Sequence, residues 1–77
     1  MILIFRSETT KAIYSWNGKE VVTIVGSVDR PVGKIMRGLD NKHLEQVFKK
    51  IYTPPRHNYD YFKVGDADYQ VLQRIDE

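Results

Sequence analysis

The sequence predicts an α+β fold: one small domain over residues 1–77, with an antiparallel sheet built from an N-terminal three-stranded meander and a C-terminal hairpin, and two short helices packed on one face. Three features predict it. Apolar, β-type runs on either side of Asn17-Gly18 mark a hairpin. Apolar residues at helical spacing fill the middle of the chain, and the pattern returns to alternation after Pro54-Pro55. A chain of 77 residues buries only about 60 to 65% of its unfolded surface, which leaves material for one core. A composition of 42% hydrophobic, 12% aromatic and 29% charged residues is that of a chain that folds rather than a disordered tail.

The elements follow in order. Residues 2–6 are an apolar run that reads as a strand, ended by the polar stretch Ser7-Glu8-Thr9-Thr10. Residues 12–16 and 20–25 are the arms of the hairpin, because Asn17-Gly18 supplies the positive φ angles of a tight type I′ turn. From Asp29 the period changes: Val32, Ile35, Met36 and Leu39 share a helical face, with Asp29 as cap and Pro31 in the first turn. This predicts a first helix ending near Gly38 and weakened by Gly33. Leu44, Val47, Phe48 and Ile51 repeat the spacing, with Asp40 as N-cap and a Glu45–Lys49 pair on the outer face, which predicts a second. Pro54 and Pro55 stop that helix, and residues 59–64 read as a strand. For residues 67–75 a helical stripe (Ala67, Val71, Leu72, Ile75) competes with a strand, and the turn chemistry of residues 65–68 favours a hairpin with a four-residue loop. The expected core is drawn from Ile4, Ile13, Val22, Ile24 and Ile35 in the first half and Leu44, Val47, Phe48, Ile51, Phe62 and Val71 in the second.

Much chemistry is excluded. With no cysteine there is neither a disulfide framework nor a thiolate zinc site. His43 and His57 lie on different elements with no H-x-x-x-H spacing, so no metal is expected. Gly33 and Gly38 have the spacing of a phosphate loop, but Leu39-Asp40 stands where lysine and a hydroxyl are required, so no nucleotide or other cofactor is expected. The serines lack a strained elbow such as G-x-S-x-G. The opening apolar run ends at Arg6, short of the about 20 residues of a membrane span, and predicts a cytoplasmic protein without a membrane partner. A net charge of +2 permits nucleic-acid contact without demanding it.

One catalytic reading stands on Arg56, His57, Tyr59, Tyr61 and Lys63, which could supply the base, acid and cation of a metal-independent ribonuclease. Beside them, residues 64–72 (VGDADYQVL) locally resemble the V-G-D-Y-R-V-L-Y strand pair of RelE-type endoribonuclease toxins. The resemblance covers about a dozen residues, with two extra residues before Tyr69 and with Gln70 and Gln73 where that family often has arginine and tyrosine. It implies RNA cleavage, and ranks behind two binding functions.

The favoured expectation is a non-enzymatic binding or regulatory module of the inhibitor or adaptor type with a protein partner. Five tyrosines, Trp16 and the arginines exceed what so small a core absorbs, and these are the residue types enriched at interfaces. The alternative is binding of RNA or single-stranded DNA, with tyrosines stacking on bases and cations meeting phosphates. Both place the site on Arg56, His57, Tyr59, Tyr61 and Lys63, supported by Lys49 and Lys50. Trp16 is a candidate exposed anchor whose competing role is hairpin packing. An open edge strand would let the chain pair with a partner or form a homodimer.

Overall fold

The computed structural model describes residues 1–26, 31–33, 35–36, 39–50 and 60–76. They form β1 (Ile2–Ser7), β2 (Ile13–Trp16), β3 (Val21–Val25), β4 (Ile35–Met36), α1 (Asn41–Lys50), β5 (Tyr61–Val64) and β6 (Ala67–Ile75). The strands make one sheet in the order β4-β3-β2-β1-β6-β5, and every neighbouring pair is antiparallel. The architecture is α+β, with the expected meander and C-terminal hairpin, but the described residues contain one helix rather than two.

The predicted helix over residues 29–38 is replaced, where the chain is described, by a turn at Val32 and Gly33 followed by β4. Gly33 has φ +86°, and its N–H donates to the Thr23 carbonyl at 2.7 Å. Ile35 and Met36 then pair with Val22 and Val21. A helix interrupted by glycines gains little from propensity. A ladder along the otherwise open edge of β3 satisfies backbone groups on both segments.

The expected second helix is α1. Asp40 caps it: its Oδ1 accepts from the Lys42 N–H at 3.0 Å, and its carbonyl accepts the first helical bond, from Leu44, at 3.0 Å. Leu44, Val47 and Phe48 face inward, and Glu45 meets Lys49 at 3.2 Å on the outer surface. Ile51, Pro54 and Pro55 lie outside the described residues.

Two loops differ in length from expectation. Trp16 pairs with Val21, so the β2–β3 loop spans residues 17–20 instead of a two-residue type I′ turn. Asn17 Oδ1 accepts from the N–H groups of Lys19 and Glu20 at 2.9 and 3.0 Å, and Gly18 takes the positive φ the sequence called for. An asparagine that folds its own loop this way competes with the tight turn. In the C-terminal hairpin Val64 pairs with Ala67, so the loop is Gly65-Asp66 and not four residues. The strand reading of residues 67–75 holds throughout β6.

The core shows which sheet face is buried. Leu3, Phe5, Tyr14, Trp16 and Val21 are buried under α1, together with Phe62, Tyr69 and Val71. In the first three strands this is the face opposite to the one expected: Ile4, Ile13 and Val22 are half-buried and Ile24 is exposed, as is Ile35 in β4. Both faces of these strands are apolar, so alternation alone does not choose between them. Area does, because each aromatic ring buries about 150 to 250 Å², more than an isoleucine or valine offers. The rings interlock: Phe5 makes edge contacts with Phe62 and Tyr69, and Trp16 packs on Phe48.

Polar contacts fasten α1 at both ends. Trp16 Nε1 donates to Asn41 Oδ1 at 3.0 Å, while Asn41 Nδ2 donates to the Lys19 carbonyl at 3.0 Å. At the far end an Arg74 guanidinium N–H donates to the Phe48 carbonyl at 2.7 Å, and the group lies 4.2 Å from the Phe48 ring centroid. A cation over the last helical carbonyls is favourably placed in the field of the helix.

Candidate functional site

Pairing register defines the sheet face turned away from α1. Tyr61 and Lys63 flank the buried Phe62, so their side chains take the other face, as alternation predicts. Tyr61 is 43% exposed. It pairs with Gln70, which pairs with Arg6, which pairs with Ile13, which pairs with Val25. A second row runs Gln73, Ile4, Ser15, Val22, Ile35 from β6 to β4. That second row carries no charged side chain across five strands.

The two ends of the face differ in chemistry. Toward the β5–β6 end the described cations stand beside carboxylates: Lys63 Nζ lies 3.8 Å from Asp68, Glu8 is shared by Arg6 at 3.7 Å and Lys11 at 3.9 Å, and Arg6 also donates to Gln70 Oε1. At the β3–β4 end the described surface residues are apolar. A bulge in β3 sets both Ile24 and Val25 opposite Ile13, and they are 41% and 48% exposed. Ile35 is 51% exposed, and Val32 in the adjoining turn is more open still. No residue of β3 or β4 is charged.

Of the residues singled out in the sequence, Tyr61 and Lys63 share this face, whereas Arg56, His57 and Tyr59 lie outside the described residues. Lys49 and Lys50 are exposed, but they belong to the helical layer on the other side of the sheet, and Lys49 is engaged with Glu45. They are not brought together with Tyr61 and Lys63. Trp16 takes its packing role and not the exposed one: it is fully buried, with its indole N–H committed to Asn41. A large ring on the aromatic-rich face goes under the helix with its neighbours.

The apolar half of the face is not among the sites the sequence suggests, because Ile4, Ile13, Val22, Ile24 and Ile35 are expected in the core. The available signal was that β3 is apolar on both faces, which exceeds what one face under one short helix can bury.

His43 has a structural task. Its Nε2 lies 3.0 Å from the Lys63 carbonyl, an acceptor only, so Nε2 carries the proton. Among the described residues no group of three or more His, Asp or Glu side chains is placed to hold a metal ion, and no helix is long and apolar enough to cross a membrane. No protein-family model, no curated protein and no solved structure matches this chain.

Proposed function

We propose that this protein is a non-enzymatic binding module that docks a protein partner on the open face of its sheet. The carrying observation is the uncharged row Ile4, Ser15, Val22, Ile35 together with the exposed Ile24 and Val25 at one end of that face. Isolated exposed hydrophobic side chains are ordinary on a protein surface, but a contiguous patch is the usual mark of an interaction surface. Polar groups around Tyr61, Gln70 and Lys63 supply the rim such interfaces have, with a tyrosine among them.

Binding of RNA or single-stranded DNA is the second reading, favoured by the exposed Tyr61 beside Lys63. It is weaker here, since a phosphate backbone would have to compete with Asp68 for Lys63 and with Glu8 for Arg6. A metal-independent ribonuclease ranks third, with its proposed residues Arg56, His57 and Tyr59 outside the described chain.

The test is a photo-crosslinking amino acid placed at Ile24, on the open face, or at Gln46, on the exposed side of α1, in protein exposed to extract from its native host. Protein adducts from position 24 alone, unchanged by nuclease, are expected. Adducts that vanish with nuclease would establish the nucleic-acid reading, and equal labelling from both positions would refute the sheet face as the site.

A further inference from the structure

We propose that the partner on the open face is a second copy of this chain, stacked sheet to sheet about a two-fold axis near the row Ile4, Ser15, Val22, Ile35. This rests on reading that face as a protein-docking surface, and it adds the identity of the occupant.

Charge supports a self-complementary interface. In a two-fold contact the same patch meets itself, so unpaired charges of one sign on the patch would repel. Here the axial row is uncharged and, among the described residues, Lys63 stands beside Asp68 while Arg6 shares Glu8 with Lys11. At the axis an identical face is therefore met by uncharged and aliphatic side chains, with the partly compensated charges at its margin. A strongly acidic partner or a nucleic acid would instead need those cations released from their carboxylates.

Area supports it as well. Six strands at about 4.8 Å spacing span about 24 Å, and strands of about five residues run about 17 Å, giving roughly 400 Å² in projection. Side-chain relief raises the accessible area above this projection, toward the roughly 1,200 Å² in all at which stable interfaces begin. The product is a helix-sheet-sheet-helix sandwich with the two sheets about 10 Å apart.

The experiment is sedimentation equilibrium of the full 77-residue chain from about 1 to about 300 µM, joined to an isotope-filtered NOE spectrum on an equal mixture of labelled and unlabelled protein. A mass rising to twice 9.0 kDa, with intermolecular contacts among the methyl groups of Ile4, Val22 and Ile35, is the expected result. Val22→Lys should weaken the dimer about 30-fold or more. The NOE measurement on unmodified protein stands even if that variant fails to fold. A monomer throughout the range overturns the dimer. A dimer whose contacts involve only the β4 or β5 edge overturns the stacked geometry. If the chain is monomeric but position 24 still crosslinks to a different protein, the docking face stands and only the second copy fails; if it crosslinks to nothing, both fail.

Discussion

Replacing Thr23 with valine is expected to stabilise the protein. Thr23 lies in β3 on the core side, 1% exposed, and pairs with Tyr14 across the ladder. Its hydroxyl oxygen is buried without a hydrogen-bond partner, so folding strips the group of water and returns nothing. The penalty for such an orphan is about 1 to 3 kcal/mol. Valine has nearly the same shape and a strand preference at least as strong, and the backbone bond from Gly33 to the Thr23 carbonyl does not involve the side chain. A gain of about 1 kcal/mol is the conservative expectation. For a chain of 77 residues the unfolding entropy is about 0.16 kcal/mol per kelvin, so the midpoint should rise by about 6 °C. Thermal unfolding followed by circular dichroism, with urea melts to check that the m-value is unchanged, measures it directly. An unchanged or lowered midpoint would refute the reasoning, because it would mean that the hydroxyl has a partner worth as much as the water it lost.

Lys11 has φ +65° in the β1–β2 turn, a conformation that costs an ordinary side chain about 1 kcal/mol and glycine almost nothing; Lys11→Gly should therefore raise stability by about that amount in urea titration. Asp40→Ala removes the side-chain cap of α1 and should cost about 1 kcal/mol, with slower refolding only if the helix belongs to the folding nucleus, as stopped-flow measurement would show. Arg74→Met keeps a long side chain over Phe48 but loses the charged bond to the helical carbonyl and the 2.9 Å pair with Asp76; a loss of about 2 kcal/mol by chemical denaturation is expected.

The parts of this fold that were legible in the sequence are those set by local chemistry. Asp40 followed by Leu44, Val47 and Phe48 fixes α1, because a cap and a stripe leave few alternatives. Glycine at positions 18 and 65 marks both hairpins, although the number of loop residues depends on the bonds Asn17 makes within its loop and on how far the β5–β6 ladder runs, to Val64 and Ala67. What could not be read was decided at a distance. Val32, Ile35 and Met36 match a helical stripe, and only the edge of β3 makes Ile35 and Met36 a strand. Leu3 with Phe5 and Ile2 with Ile4 are equally apolar pairs on opposite faces of β1, and α1 with its aromatic neighbours selects the first. The candidate surface inherits that choice. In the stretch 59–64 each face carries one charged residue, Lys63 on one and Asp60 on the other, so polarity alone leaves the exposed face open, and the packing of Phe62 against Phe5 and Tyr69 turns Tyr61 and Lys63 outward.

The pairing of β1 with β6 has a bearing on how the molecule assembles. Ile2 lies opposite Ile75 and Ser7 opposite Tyr69, so a seam inside the sheet joins segments more than sixty residues apart along the chain. During synthesis the meander emerges first, and the outer side of β1 then presents a row of unsatisfied amides until β6 arrives. Folding that must close so large a loop before its reward is slow for a chain of this size. The interval before β6 docks is when the nascent chain is most open to pairing with the wrong strand.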